Sequence, residues 1–241
     1  YLHDYADIKK IQTVDTMEDA KEAITKALNS CQSGIVLHIQ QYEQTDMVQW
    51  VDDYGDAYAE MLMEQPQVTE NLYPEEGSSR IMVLKFSYQN SRETLREMQT
   101  QVGKVVDTAV KAARQEPDPA LRFGALYDHL MGLFEEFQQE TSMTPAYSLL
   151  IHGVGDCHAF ATVYGAFCRR AGLECMVVTG TRNGEPWSWN IVKSGEMYYH
   201  LDLPASRAAG EFRLLADADM SGYVWDYALY PPCGVEIPME E

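Results

Sequence analysis

The strongest constraint on the fold is a glycine-rich turn at residues 153–157 that leads directly into a helical pattern. Apolar side chains then recur at the spacing of one buried helix face: Ala159, Phe160, Val163, Tyr164, Phe167 and Cys168. Asp156 is a good N-cap residue and Gly172 a good C-terminal stop, so the sequence predicts a helix between them. Cys157 is therefore predicted to lie in the first turn of a buried helix.

Cys157 at this position is a candidate nucleophile. The unpaired N–H groups and the dipole of a helix N-terminus favour a thiolate, and nearby glycines let a substrate approach the backbone. Two observations weigh against activation. The charge of Asp156 raises the pKa of a neighbouring thiol, and most cysteines at such positions are packing residues. The turn alone leaves a nucleophile and a packing role both open.

Three predicted strands follow the cysteine helix, at residues 173–179, 187–192 and 197–202. Ser194 and Gly195 make a short turn between the last two. A cysteine at the N-terminus of a helix that packs beside an antiparallel sheet is the arrangement of papain-like proteins. The sequence therefore predicts an α+β fold with a papain-like core.

Three short motifs in this order resemble the bacterial transglutaminase-like superfamily, whose pattern is Gly-x-Cys, then His-x-Trp-Asn, then Tyr-x-x-Asp. The corresponding segments here are Gly155-Asp-Cys157, Trp187-Ser-Trp189-Asn190 and Tyr199-His-Leu-Asp202. The resemblance covers roughly residues 119–233, and the tail from Phe212 to Cys233 is similar to the end of secreted Firmicutes members. It implies a transglutaminase-like version of the papain-like fold.

The resemblance also implies roles for individual residues. Cys157 matches the nucleophile and Asp202 the residue that orients the catalytic histidine. Trp189 and Asn190 match the Trp-Asn of the second motif, and they are candidate binding residues. The departure is Trp187, which stands where the family has its catalytic histidine.

Trp187 cannot replace that histidine chemically. An imidazole holds the thiolate as an ion pair and then protonates the leaving group. An indole has one N–H donor, no basic lone pair and no titration near neutral pH. It could still donate a hydrogen bond to Asp202, and its ring could form part of a binding surface. The substitution therefore predicts impaired or absent catalysis.

Two other histidines are candidate replacement bases. His200 shares a strand face with Asp202, because side chains repeat every two residues along a strand. His158 is adjacent to Cys157, although neighbours on a helix usually point in different directions. The simpler interpretation of His200 is a histidine on the strand surface.

Three functions remain open at this point. The first is a non-catalytic module whose remnant cleft, bordered by Trp187 and Trp189, binds a peptide, a glycopeptide or a protein partner. The second is an active cysteine peptidase or acyl transferase with His200 or His158 as the base. The third is a structural module of a larger surface protein. Secretion or attachment to the cell surface is implied by the resemblance only.

The first half of the chain predicts a separate α+β region. Helical patterns cover residues 16–31, 46–64 and 91–114, and buried strands are predicted at residues 34–39 and 80–86. Asp118 and Pro119 mark the start of a further helix. The proline-containing stretch at residues 116–119 therefore predicts a boundary between an N-terminal region, residues 1–116, and a core, residues 117–241.

Charge and composition exclude some partners. The net charge of −19 repels nucleic acid and anionic lipid headgroups. The five cysteines have no metal-type or disulfide-scaffold spacing, so we predict no metal and no cofactor. No apolar run approaches the roughly 20 residues needed to cross a bilayer. The chain begins with tyrosine, which is consistent with removal of an export signal or lipid anchor.

Overall fold

A computed structural model describes residues 10–235 of the chain. Within these residues there are two compact units, one of residues 10–55 and 64–99 and one of residues 56–63 and 100–235. The boundary that the sequence places at residues 116–117 stays a prediction.

The first unit is built around a four-stranded sheet with the order β1-β2-β4-β3. The elements that lie in it wholly or in part are β1 (Gln12–Thr16), α1 (Met17–Asn29), β2 (Gly34–Gln41), α2 (Met47–Ala57), β3 (Gln67–Tyr73), β4 (Arg80–Ser87) and α3 (Arg92–Ala113). The last residues of α2 and the second half of α3 belong to the second unit. β1 pairs with β2 in parallel, and the other pairs are antiparallel. The predicted strands at residues 34–39 and 80–86 are confirmed.

Helix starts follow the capping signals in the sequence. The Thr16 hydroxyl and the Asp19 carboxylate form a reciprocal capping box at the start of α1. α2 is shorter than predicted, because it ends at Ala57 and not near residue 64. The apolar positions beyond it are buried without helical backbone, with Leu62 only 6% exposed. β1 and β3 were not predicted.

The second unit carries the cysteine helix and a second sheet. Its elements after α3 are α4 (Pro119–Leu133), β5 (Glu136–Phe137), α5 (Pro145–His152), β6 (Val154–Gly155), α6 (Cys157–Ala171), β7 (Cys175–Arg182), β8 (Glu185–Ser194), β9 (Met197–Leu201), α7 (Leu203–Ala209) and β10 (Tyr223–Val224). β7, β8, β9 and β10 form an antiparallel sheet in the order β10-β7-β8-β9, and β5 and β6 form a short parallel pair.

α6 is the central helix of this unit. The Asp156 carboxylate accepts a hydrogen bond from the Ala159 N–H at its start, and Gly172 ends it in the left-handed conformation. Most of its side chains are buried, and it packs against β7 and β8. The predicted cysteine helix and the three predicted strands are confirmed, and the mixed α+β character of the chain is confirmed with them.

Strand β9 ends at Leu201, one residue earlier than predicted. Asp202 is the N-cap of α7 rather than the last residue of β9, and its carboxylate accepts a hydrogen bond from the Ala205 N–H. Helix α7 was not predicted, although an aspartate N-cap with a proline in the first turn also marks the start of α4.

Among the residues that the structure describes, no helix is both long and apolar enough to span a lipid bilayer.

Candidate functional site

Cys157 is the first residue of α6 and is partly buried. The turn before it depends on Gly153, which adopts the left-handed conformation at the end of α5 with φ of 70°. The Cys157 Sγ accepts a hydrogen bond from the Ser188 N–H on β8 at 3.5 Å. The turn and the neighbouring strand therefore place the thiol at the junction of α6 and the sheet.

The environment of Cys157 favours the neutral thiol. Burial is the largest cause that raises the pKa of Cys157 above its ordinary value, and the charges of Asp156 and Asp202 raise it further. The N–H groups of Ser188 and His158 act in the opposite direction but are outweighed. At this helix N-terminus the effects of burial and of the two carboxylates therefore outweigh the backbone N–H groups.

Asp202 is buried, with 2% of its surface exposed, yet its carboxylate is well satisfied. Its Oδ2 accepts hydrogen bonds from the Trp187 Nε1–H at 2.8 Å and from the Tyr223 hydroxyl at 2.5 Å. Its Oδ1 accepts the Ala205 N–H at 3.0 Å. The Arg182 guanidinium lies 3.8 Å from Oδ2 and adds a compensating charge.

Trp187 lies on β8 and is partly buried. The next residue, Ser188, is the one whose N–H donates to the Cys157 sulfur. The Trp187 ring stacks on Phe137 with centroids 5.8 Å apart, and the Arg182 guanidinium lies 5.2 Å from its centroid. Its only hydrogen-bond donor is used by Asp202. The indole is therefore fixed on both its face and its edge.

Trp189 and Asn190 are buried, with 1% and 0% of their surfaces exposed. The Trp189 Nε1–H donates to the His200 Nδ1 at 3.0 Å. The Asn190 Nδ2 donates to the Ala161 carbonyl of α6 at 2.9 Å, which ties the sheet to the cysteine helix. In this conformation both residues contact the protein interior rather than an open surface.

His200 lies on the opposite face of the sheet from Cys157. It pairs with Ile191 on β8, which belongs to the hydrophobic cluster that contains Trp189, and its own ring contacts Trp189 in that cluster. The next residue on β8, Asn190, faces α6. The His200 Nε2 lies 2.8 Å from an Asp217 oxygen, and the ring is fully buried. Burial lowers the pKa of His200, and the charge of Asp217 opposes this only in part.

His158 is engaged elsewhere. Its Nε2 lies 3.0 Å from the Asp56 Oδ1, and this hydrogen bond is the main cause that raises the pKa of His158. Between residues 10 and 235, no histidine nitrogen is hydrogen-bonded to the Cys157 sulfur.

A cluster of possible metal ligands lies on the far face of the sheet, and sequence spacing gave no sign of it. Ligand atoms of His200, Asp217 and Cys233 all lie within 4.8 Å of one another. Because an indole can only donate, the hydrogen bond from Trp189 leaves a lone pair on Nδ1 and puts the proton of a neutral His200 on Nε2. The nitrogen that faces the cluster therefore presents an N–H and not a lone pair.

The third member of this cluster is also protonated. The pKa of Cys233 is raised to about 12. Burial is the largest cause, and the charge of Asp217 and a hydrogen bond with Asp217 add to it. His200 and Cys233 are therefore protonated hydrogen-bonding partners of Asp217 rather than deprotonated metal ligands. The sequence-based prediction of no metal stays a prediction.

Two residues of the site were not found from the sequence. Tyr223 and Arg182 both contact Asp202, but they lie on the distant elements β10 and β7. Their contact with Asp202 depends on the antiparallel pairing of Tyr223 with Arg182. An aromatic residue near the end of a strand carries no such signal in the sequence.

Comparison with known proteins identifies the class of the second unit. Residues 106–225 match the family model described as the transglutaminase-like superfamily, so the chain contains a transglutaminase-like domain. The predicted transglutaminase-like, papain-like core is thereby confirmed. No curated protein matches the chain closely enough to count as a relative.

Two solved structures are similar to the chain. One is a candidate cysteine protease from Cytophaga hutchinsonii, with 13% identity, a TM-score of 0.38, and coverage of 66% of this chain and 70% of that chain. The other is a candidate protease from Parabacteroides distasonis ATCC 8503, with 8% identity, a TM-score of 0.34, and coverage of 69% and 39% respectively.

Proposed function

We propose that this transglutaminase-like domain is catalytically impaired or inactive and that its remnant cleft binds a peptide, a glycopeptide or a protein partner. In this proposal Cys157 is a former nucleophile, Asp202 is the carboxylate that would orient a histidine, and Trp187 occupies the histidine position.

The hydrogen bond from Trp187 to Asp202 is the observation that carries the proposal. One carboxylate oxygen of Asp202 accepts hydrogen bonds from the Trp187 indole and the Tyr223 hydroxyl. Neither of these groups can take a proton from a thiol at neutral pH. A cysteine nucleophile needs a base within hydrogen-bonding reach. The raised pKa of Cys157 is consistent with the lack of one.

A relocated base is the weaker alternative. His200 would have to leave a fully buried position and two hydrogen-bonding partners, Trp189 and Asp217. His158 would have to leave Asp56. Both rearrangements cost buried or charge-assisted hydrogen bonds, so we assign neither histidine a catalytic role.

The partly exposed ring of Trp187, with Phe137 stacked on it, provides an apolar contact surface next to Asp202. Aromatic side chains are enriched in binding surfaces because they bury a large area with few rotatable bonds. In the described conformation a ligand would contact Trp187 rather than the buried Trp189 or Asn190.

Restoring the histidine tests the proposal. In Trp187→His, the imidazole can donate to Asp202 and face the Cys157 sulfur with its other nitrogen. We expect the midpoint of the pH dependence of Cys157 alkylation to fall by at least about one pH unit, because an imidazolium stabilises the thiolate. Iodoacetamide labelling, read at the Cys157 peptide by mass spectrometry, measures this midpoint.

Two controls make the result specific. Trp187→Phe removes the indole N–H without adding a base, so its alkylation midpoint should stay at or above the ordinary value for a thiol. Trp187→His combined with Asp202→Asn should lose most of the gain. A wild-type protein that already alkylates with a midpoint well below about 8.5 would contradict the proposal, because its thiol would then be activated by some other group.

A further inference from the structure

A cavity lies directly beside Asp202. Its volume is about 290 Å³, and the residues that matter in its wall are Arg182, Arg213, Asp202, Asp219, Ser221 and Tyr223. Asp202 therefore both lines this cavity and acts through its charge on Cys157.

Two arginines line this one cavity in a chain that has 18 basic and 37 acidic residues. Arg182 lies 3.8 Å from the Asp202 Oδ2, which is an ion pair but too long for a hydrogen bond. Its position is fixed by the rings of Trp187 and Tyr223, whose centroids lie 5.2 and 5.5 Å from the guanidinium carbon. The donors of Arg182 are therefore held in place and remain available.

Arg213 is less constrained by partners. Among the residues that the structure describes, Arg213 has no hydrogen bond and no ion pair, and its charge acts on the Tyr223 hydroxyl, whose pKa it lowers against the larger opposing effects of burial and Asp202. The guanidinium of arginine carries five N–H donors in one plane, and two of them can bind both oxygens of a carboxylate at once.

The two acidic residues of the wall are already engaged. The Asp202 carboxylate accepts three hydrogen bonds, and the Asp219 Oδ2 accepts the Ala216 N–H at 3.1 Å. The two arginines and two carboxylates of the wall have a formal net charge of zero. Binding of a carboxylate adds one negative charge to the wall and binding of a phosphate dianion adds two, so the electrostatic cost is lower for the carboxylate.

We propose that this cavity is a binding subsite for a carboxylate of the ligand, held by Arg213 and Arg182 beside the Cys157 cleft. The identity of the ligand as a peptide rests on the proposed function above. The carboxylate comes either from the C-terminus of the peptide or from an acidic side chain, since the same guanidinium groups would hold both.

Short peptides test the proposal and separate the two sources. The probes are N-acetyl-Ala-Ala with a free C-terminus, the same peptide as its C-terminal amide, and N-acetyl-Ala-Glu as its C-terminal amide. Binding is measured by NMR titration of the full chain, following the arginine Nε–H resonances. We expect at least one carboxylate-bearing peptide to bind about tenfold more tightly than the neutral amide.

Substitution of the arginines identifies the site. In Arg213→Gln the preference for the carboxylate over the amide should fall to within about twofold, and in Arg182→Gln it should fall in the same direction. Arg122→Gln removes the same charge from α4 outside the cavity and should leave the preference unchanged. Circular dichroism of each variant shows whether it is folded.

The outcomes distinguish this proposal from the proposed function. Equal binding of the acid and the amide, or an unchanged preference in Arg213→Gln, would overturn the subsite while leaving peptide binding in place. A second outcome is that no peptide binds, while acetate still shifts the Arg213 resonance of the wild type and does not bind Arg213→Gln. This outcome would support the carboxylate subsite and overturn the proposal that the ligand is a peptide. Tighter binding of inorganic phosphate than of every carboxylate probe would overturn the assignment to a carboxylate.

Discussion

Asp202 is the residue on which the interpretation of the site depends. It caps α7, holds the edge of Trp187, accepts the Tyr223 hydroxyl and lies beside the Arg182 guanidinium. In a working cysteine site its charge would orient an imidazolium and support the thiolate. Among the described residues no histidine is hydrogen-bonded to the Cys157 sulfur, and the charge of Asp202 acts against ionisation of this thiol.

Asp202→Asn therefore should lower the pKa of Cys157. Removing the charge removes one of the causes that raise this pKa, so the midpoint of Cys157 alkylation should move to lower pH. The unfolding free energy should fall by about 1–3 kcal/mol, because an amide cannot accept from all three donors that now bind the carboxylate. Urea denaturation measures the second effect.

Asp219→Asn is the matched control for this change, since it removes one charge from the same cavity wall without touching Trp187. Its alkylation midpoint should stay at the wild-type value. An upward shift of the midpoint in Asp202→Asn would mean that Asp202 supports a thiolate through a base, as it does in an active site.

Part of this residue-level picture could be predicted from the sequence. The position of Cys157 followed from local signals, because Asp156 and the glycine turn act within a few residues of it. The contact from Trp187 to Asp202 followed from the resemblance. The roles of Tyr223, Arg182 and Arg213 could not be predicted, because they depend on strand pairing and loop paths that bring together residues distant in the sequence.

At the scale of elements, α6 is fastened to the short segment of residues 56–63, which belongs to the same compact unit. His158 pairs with Asp56, and Arg169 pairs with the buried Glu60 and lies over the Tyr58 ring at 4.2 Å. Beyond the end of α2 at Ala57, the side chains of Ala59, Leu62 and Met63 are buried although the backbone is no longer helical. The apolar residues in this segment indicated burial, and the sequence-based prediction of a helix to residue 64 was wrong in its end point.

The pair of His158 and Asp56 predicts a pH-dependent contribution to stability. The folded-state pKa of His158 is raised above its unfolded value of about 6.5, so the protonated form is favoured in the native state. The contribution is fully present below about pH 6.5 and is lost as the pH rises through the folded pKa. His158→Gln should cost about 0.5–1 kcal/mol at pH 5.5 and close to nothing at pH 9.

Urea denaturation of wild type and His158→Gln at both pH values measures this difference. His129→Gln is a useful comparison, because burial lowers the pKa of His129 and the sign of its pH dependence is reversed. A cost of His158→Gln that is larger at pH 9 than at pH 5.5 would contradict a protonated partner for Asp56.

The accuracy of the predicted elements depended on whether a local signal marked both ends. Helices α1, α4 and α6 begin at side-chain caps that the sequence displays at Thr16, Asp118 and Asp156. β3 was missed because it has no buried residue, so it shows no apolar alternation. Its place is set by pairing with β4, which is a non-local contact.

At the scale of the whole molecule, the charge imbalance predicts that salt stabilises the fold. The net charge of −19 comes from 37 acidic and 18 basic residues, and compact states suffer most from self-repulsion. The screening length falls from about 30 Å at 0.01 M to about 8 Å at 0.15 M ionic strength. The unfolding free energy should therefore rise between 0.01 and 0.15 M sodium chloride at pH 7.5.

Urea denaturation across this salt range measures the rise, with choline chloride at equal ionic strength as the control. Equal rises in the two salts indicate screening, whereas a rise in sodium chloride alone would indicate binding of the sodium ion. A fall in stability with both salts would contradict the prediction. It would mean that attractive pairs such as His158 with Asp56 and Arg170 with Asp107 outweigh the repulsion among the excess carboxylates.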